Sequence, residues 1–454
     1  AANRYFNKDV SDLSLSESVV IACITQRPTY YSPILNPENN REKSKVVLRK
    51  MHEQGYITES EKEAALADDP YARIAKANQK FVDKASHSYF VDQVVEDLVK
   101  DIQIKKGVSV TEANNIIYEA GLQIYTTYDP DIQAIVDEHI SNPDMYPPNS
   151  YELEISYSVT VTRPDGTTQN FGDKGIVKDE DGIETFTKAK LEDWGITDTD
   201  KITETILKIP QPQAAITIMD YHNGHIAALS GGRGDKLGDR TFNRATQAKR
   251  QPGSVFKILA AYAPAIDIGV LSPGSIIVDE PLTIEIPGQP RYEPQNWYSG
   301  YRGPTTVRQG IVASMNILAV KALMTTGLET SYDYLMRFGL TTLTPQDKVY
   351  ASALGGITDG VTPFELTAAF GSIANNGVYI QPILYTKVLD KDGNLYLDNE
   401  PETHTVLKES TAYMLTDMME DAINNSDGTG RLIRNTFQQM PVAGKTGTTS
   451  EDKD

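Results

Sequence analysis

The chain has 454 residues, with 43 basic against 62 acidic side chains and a net charge of −19 at pH 7. That balance leaves no electrostatic handle for nucleic acid or for anionic lipid headgroups, so neither is an expected partner of the chain itself. The single cysteine, Cys23, excludes an intrachain disulfide and a cysteine-ligated metal centre. No apolar run approaches the roughly 20 residues that a membrane helix needs. The length predicts roughly two to four domains. The chain starts at Ala1, with no signal-peptide pattern, and reads as a fragment whose gene continues at both ends.

Residues 1–66 read as helical. Ser11–Ile24 is periodic, Asn40–Gln54 is amphipathic and basic, and Thr58-Glu59-Ser60-Glu61 is a capping-box pattern opening a helix to Leu66. A proline-punctuated loop, Gln26–Pro33, joins the first two. Across 67–149, helical patterns at Val91–Ile102, Val110–Ala120 and Ile132–Ile140 flank a short strand at Leu122–Thr127.

Residues 150–210 read as a β-rich insertion. Tyr151, Leu153, Ile155, Tyr157, Val159 and Val161 alternate strictly, Pro164-Asp165-Gly166 is a turn, and a second β-like run precedes Pro210. A packing or spacing module is the reading, with a glycan-binding surface as the alternative. Ala214–Asp220 and His225–Leu229 then form a hairpin on Asn223-Gly224. His222 and His225 lie in or beside that turn with no third ligand at metal spacing, so they read as solvated, and no metal site is expected. Asp390-Lys391-Asp392-Gly393 lacks the remaining positions of a calcium loop and reads as a hairpin turn.

The chain is organised around Arg250-Gln251-Pro252-Gly253-Ser254-Val255-Phe256-Lys257. Pro and Gly interrupt what precedes, and an apolar run that follows predicts a buried helix. Ser254 and Lys257 fall in its first turn, three positions apart and on one face. Burial disfavours a charged amine, which would make Lys257 a base beside a nucleophile. Were Ser254 a mere cap and Lys257 a surface residue, the following run would not be so apolar.

Ser-x-x-Lys alone is weak, since roughly two are expected by chance in a chain of this size. A second copy, Ser450–Lys453, lies in an acidic tail and is set aside. The first is followed by Ser314-Met315-Asn316 and by Lys445-Thr446-Gly447-Thr448, each unique in the sequence. Three such motifs in this order resemble those of penicillin-binding proteins and class A β-lactamases. Met315 stands where the β-lactamase form has Asp; Ser-x-Asn is the more general penicillin-binding version.

With Phe242-Asn243-Arg244-Ala245, Gly355-Gly356 and Gly360-Val361-Thr362-Pro363, about half the chain resembles the transpeptidase domain of class A penicillin-binding proteins. Ile258 replaces a proline common there. Tyr292-Glu293-Pro294-Gln295-Asn296-Trp297 is similar to the family's Tyr-x-Pro-x-Asn segment, which implies substrate contact by Tyr292, Asn296 and Trp297. The residues themselves equally allow a surface loop with a satisfied Asn. Arg4–Lys8, Leu13–Glu17 and Val47–Met51 resemble the C-terminal end of the family's glycosyltransferase domain. The catalytic glutamates of that domain lie upstream in the family, and Lys43 replaces a common arginine, so glycan polymerisation is not expected of this chain.

The resemblance implies an α+β, β-lactamase-like fold, an antiparallel sheet flanked by helices, preceded by a helical remnant. It implies domains at 1–66 (glycosyltransferase remnant), 67–149 (linker), 150–210 (insertion) and 211–454 (transpeptidase). The sheet is expected to be incomplete, because family members continue past the Lys-Thr-Gly strand, and the fragment alone is expected to be poorly active or unstable. The implied reaction is attack by Ser254 on a stem peptide ending in D-Ala-D-Ala, with Lys257 as base, Ser314 as proton shuttle and Asn316 orienting Lys257. Lys445, Thr446 and Thr448 would hold the substrate carboxylate. Gly447 sits in the expected strand beside Ser254, and Ser254 and Thr448 would give the oxyanion-hole N–H groups. The implied partners are stem peptides, inhibitory β-lactams, cell-wall synthesis proteins and a membrane reached through an anchor outside this chain, on the extracytoplasmic face; no cofactor is implied. A D,D-carboxypeptidase or β-lactamase-type hydrolase and a non-catalytic β-lactam sensor or scaffold are the rival readings.

Overall fold

The computed structural model describes the chain apart from residues 1, 7, 9, 26–30, 34–36, 75–86, 148, 149, 237, 289, 438, 439 and 450–454. Most of the Gln26–Pro33 loop, and the Ser450–Lys453 motif, therefore lie outside the described residues. The chain divides into two compact units, Ala1–Ser86 and His87–Asp454. Among the described residues no helix is long and apolar enough to cross a membrane.

The first unit is helical: Ala2–Phe6, Leu15–Ile24, Pro37–Glu53 and Glu59–Ala67. Ser14 with Glu17, and Thr58 with Glu61, close reciprocal capping boxes that satisfy N–H groups left free at a helix start. Val19, Cys23 and Leu48 form one apolar cluster between helices. Glu17 is fully buried, and its charge is tolerated because Lys8 (2.9 Å) and Arg73 (2.7 Å) both reach it.

The second unit opens with helices Tyr89–Lys106 and Val110–Glu119, strand β1 (Gln123–Thr126) and helix Pro130–Ser141. Strands β2 (Glu152–Thr162), β3 (Thr168–Val177) and β4 (Lys201–Gln211) form an antiparallel sheet in the order β3-β2-β4. The alternating Leu153, Ile155, Tyr157, Val159 and Val161 are its buried face, as the period-2 pattern requires. Ile183, Phe186 and Leu191 cover that face from helix Glu180–Asp193, an element the sequence reading did not anticipate.

Strands β5 (Ile216–Asp220) and β6 (His225–Ser230) pair antiparallel around the Asn223-Gly224 turn. Strands β7 (Ile276–Asp279) and β8 (Gly303–Thr306) form a second two-stranded ladder. Four short strands follow: β9 (Val378–Ile380), β10 (Tyr385–Leu389), β11 (Leu395–Asp398) and β12 (Thr403–Thr405). They give sheets β1-β10-β11 and β12-β9, and Asp390–Gly393 forms the turn between β10 and β11. One core packs the Tyr89–Lys106 helix against β6 and β10 through Phe90, Leu98, Ile226 and Val388.

The larger core is built on the stretch after Ser254. Phe256, Ile258, Leu259, Ala260, Ala261 and Tyr262 are all fully buried. Helices Asn316–Thr326, Leu328–Arg337, Pro363–Ala374 and Glu409–Asn424 contribute Val320, Leu335, Ile373 and Leu415 to the same cluster. Full burial of one such large apolar side chain contributes about 1.5–3 kcal/mol, so this segment is fixed by its surroundings. The fold is α+β, with helices wrapped on small antiparallel sheets.

Two local expectations need correction. The segment after Pro252 is a 3-10 turn (Gly253–Val255), a π-helix (Lys257–Tyr262) and a short α-helix (Ala263–Asp267), rather than one regular α-helix. Pro264 explains the change: it has no N–H for the Ala260 carbonyl and its ring crowds that oxygen in an α-helix. The wider π turn relieves the clash, and Ser331 Oγ donates to the Ala260 carbonyl at 2.5 Å. Residues 441–449 are not a strand; they run irregularly, without a ladder partner among the described residues.

Candidate active site

Ser254 sits half-buried in the Gly253–Val255 turn, ahead of the fully buried Lys257. Ser254 belongs to the 3-10 turn and Lys257 opens the π-helix that follows it. Lys257 Nζ donates to the Ser314 carbonyl (2.7 Å) and to Asn316 Oδ1 (2.6 Å), and lies 3.2 Å from Ser314 Oγ. Burial, followed by the nearby Lys445 charge, holds its pKa well below the usual lysine value.

Ser314 is buried, in the break between helix Val307–Val312 and helix Asn316–Thr326, and its φ of 51° lies in the left-handed region. A non-glycine residue there carries roughly 1–2 kcal/mol of strain. The kink lets one residue offer both its carbonyl and its hydroxyl to Lys257. Ala313–Met315 separates the two helices.

Lys445 Nζ donates to Ser314 Oγ (2.8 Å) and to the Thr446 carbonyl (2.8 Å). Burial lowers its pKa to about 8. Neither amine is bonded to a carboxylate among the described residues, so the site holds cationic capacity inside an acidic chain. Gly447 passes directly over the serine turn: a Cβ there would stand 2.8 Å from the Pro252 carbonyl oxygen. From the other side, a Cβ on Gly253 would stand 2.6 Å from the Thr448 carbonyl oxygen. Thr446, Gly447 and Thr448 are exposed along this rim.

The Tyr292–Trp297 segment supports the site rather than lining its centre. Asn296 Oδ1 accepts from the backbone N–H of Asn316 (3.0 Å) and of Ile317 (3.2 Å), capping the helix from outside its own chain segment. Asn296 Nδ2 donates to Asp279 Oδ1 (2.8 Å), and the buried Asp279 also accepts from Tyr298 Oη and the Arg302 N–H. Trp297, largely exposed, donates from Nε1 to the Ala313 carbonyl (2.9 Å). Tyr292 pairs its backbone with Ile284 and packs against the large core. Asp279 and Thr429 escaped the sequence reading; the latter meets Thr446, Oγ1 to Oγ1, at 2.8 Å.

Ser254, Lys257, Ser314, Asn316 and Lys445 are thus gathered from three distant stretches, on a helix-wrapped antiparallel fold. That combination defines a Ser-x-x-Lys protein of the penicillin-interactive class. The family described as "Penicillin binding protein transpeptidase domain" matches residues 214–454, and "Transglycosylase" matches residues 1–52. The chain belongs to the penicillin-binding protein transpeptidase family. It is 32% identical to penicillin-binding protein 1A of Clostridium acetobutylicum, covering 100% of this chain and 51% of the relative. Penicillin-binding protein 1A of Clostridium perfringens is also 32% identical, with 100% and 61% covered. The chain therefore spans about half the length of these curated relatives. Penicillin-binding protein 1A from Haemophilus influenzae shares the fold, with a TM-score of 0.63 and 22% identity over 99% of this chain and 74% of that one. PonA1 from Mycobacterium tuberculosis, solved in complex with penicillin V, aligns with a TM-score of 0.50 and 18% identity over 79% of this chain and 77% of that one.

Proposed function

We propose that the chain carries the D,D-transpeptidase site of a bifunctional, class A penicillin-binding protein, acting through a Ser254 acyl-enzyme. The observation that carries this reading is the buried Lys257, three residues after a serine, where burial and the nearby Lys445 charge favour the neutral amine. A neutral amine has two N–H donors and one lone pair. The donors go to the Ser314 carbonyl and Asn316 Oδ1, which leaves the lone pair for a proton.

In this reading Ser254 Oγ attacks the carbonyl between two terminal D-alanines of a stem peptide, and Lys257 takes its proton. Ser314 Oγ lies between both amines, so it relays that proton toward the departing D-alanine, with Lys445 supplying positive charge behind it. Lys445, Thr446 and Thr448 hold the donor's terminal carboxylate. The backbone N–H groups of Ser254 and Thr448 face the developing oxyanion. The amine of a second stem peptide then resolves the acyl-enzyme and forms the cross-link, and a β-lactam traps the same serine.

The wider setting is part of the proposal. Residues 1–66 are the end of a glycosyltransferase domain, 67–149 a linker, 150–210 an insertion and 211–454 the transpeptidase. The parent protein works at the outer face of a bacterial membrane with other wall-building proteins. Fluorescent penicillin followed by intact mass tests the core of this reading. A long-lived adduct on wild type, absent from Ser254→Ala, is the expected result. Rapid release of hydrolysed drug would replace the transpeptidase with a hydrolase, and an unlabelled wild type would sink the acyl-transfer account.

A further inference from the structure

Thr429 lies outside all three motifs, yet it touches Thr446 of the third. Thr429 is the centre of Gly428-Thr429-Gly430, a turn pressed onto the C-terminal end of helix Glu409–Asn424. The Gly428 N–H donates to the Asn425 carbonyl and the Gly430 N–H to the Ala422 carbonyl, both at 3.0 Å. A Cβ on Gly428 would stand 2.3 Å from the Ala422 carbonyl oxygen, so the turn fits only this tightly because that side chain is missing.

Two further bonds tie the turn to the site. The Thr429 N–H donates to the Val312 carbonyl (3.3 Å), two residues before Ser314, and Thr446 Oγ1 donates to Thr429 Oγ1 (2.8 Å). The same helix holds both sides of the groove. Its Met419 carbonyl accepts from the Gly444 N–H (3.2 Å), and its Asp417 and Asp421 accept from Arg308. Thr429 is thus a side-chain link from the strut shared by the Ser314 and Lys445 segments to the exposed hydroxyl of Thr446.

We infer that Thr429 is a positioning residue for carboxylate recognition, setting the orientation of the Thr446 hydroxyl at the rim of the groove. This rests on the proposed acyl-transfer reading. A hydroxyl both donates and accepts. With the groove empty, the Thr446 O–H donates its hydrogen bond to Thr429 Oγ1. When a carboxylate arrives the pair turns over: Thr429 O–H donates to Thr446 Oγ1, and Thr446 O–H donates to the carboxylate. No covalent bond is made or broken, and each hydrogen bond in the chain polarises the next. Without the Thr429 hydroxyl, Thr446 loses the partner that holds its rotamer, and its donation to the anion weakens.

The test compares a penicillin with its methyl ester, blocked at the ring carboxylate, on wild type, Thr429→Val and Thr429→Ser. Acylation of Ser254 is followed under second-order conditions and at saturation. The expected result is a fall of about tenfold in the acid-to-ester ratio of acylation efficiency for T429V. That loss should lie in the binding constant, and T429S should restore it. Equal losses on acid and ester would mark Thr429 as merely structural and overturn the inference, as would an unchanged ratio. A wild type that takes no label from either probe refutes the acyl-transfer reading itself, a distinguishable failure.

Discussion

Asn296 Oδ1 accepts the backbone N–H of Asn316 at 3.0 Å, so the residue that touches Lys257 is held by a side chain twenty positions earlier. Removing an N-cap costs about 0.5–2 kcal/mol. Asn296→Ala is expected to lower the melting temperature by a few degrees and to slow Ser254 acylation at least tenfold, because Asn316 Oδ1 drifts from the amine. Thermal melts and acylation kinetics on one preparation check both. Full reactivity in a destabilised variant would reduce Asn296 to a helix cap alone.

In the proposed mechanism two lysines have opposite duties, and a pH dependence follows from them. Lys257 must be neutral to accept a proton, so the rate falls on the acid side, as that amine becomes charged. Lys445 must be charged to hold an anion, and its pKa is brought down to about 8 by burial. Acylation efficiency with a carboxylate-bearing β-lactam is therefore expected to decline above about pH 8. At saturation the bound carboxylate favours the charged amine, which moves the alkaline limb upward. A profile flat through pH 10 would contradict this assignment.

Stability has its own pH signature. Lys257 is depressed in the folded protein, whereas the unfolded value is about 10.4. Between those values the unfolded chain binds more protons, so stability rises with pH across that window. Lys257→Met removes the titrating group and is expected to flatten the slope. Denaturant melts at several pH values read the difference, and an equal slope in both proteins would mean that Lys257 stays charged when folded.

Ser314 allows strain and chemistry to be separated. Glycine adopts a φ of 51° without penalty and alanine does not, while both remove the hydroxyl. Ser314→Gly is expected to be more stable than Ser314→Ala by about 1 kcal/mol, with both losing acylation at least a hundredfold. Should Ala prove the more stable of the two, the left-handed assignment is wrong.

The candidate site residues were legible because each motif is short and its internal spacing is read directly from the sequence. The capping box at Thr58 and the β5–β6 hairpin were legible as short local patterns, while the matching box at Ser14 was passed over. Helix Glu180–Asp193 was obscured by its polar composition, yet Lys188 sits four residues after Glu184 and pairs with it. The π-helix left a trace in Pro264 that a simple apolar-run reading passes over. Residues 442–449 have β-forming side chains, but propensity only ranks conformations; a strand also needs a neighbour to pair with. Thr429 and Asp279 act through contacts between distant segments, which no local pattern encodes.

The irregular path of residues 441–449 has a consequence for how this protein fails when heated. Lys257 belongs to the innermost packed layer, whereas Lys445 rides on a ribbon held by the Gly444 N–H and a few side-chain bonds. Regions with few buried contacts open well before the whole molecule does. Drug reactivity is therefore expected to vanish at a lower temperature than the cooperative melt, with the ribbon peeling away from a core still intact. Labelling and calorimetry run along the same temperature ramp would separate the two events, and coincident transitions would show the ribbon to be as firmly anchored as the core.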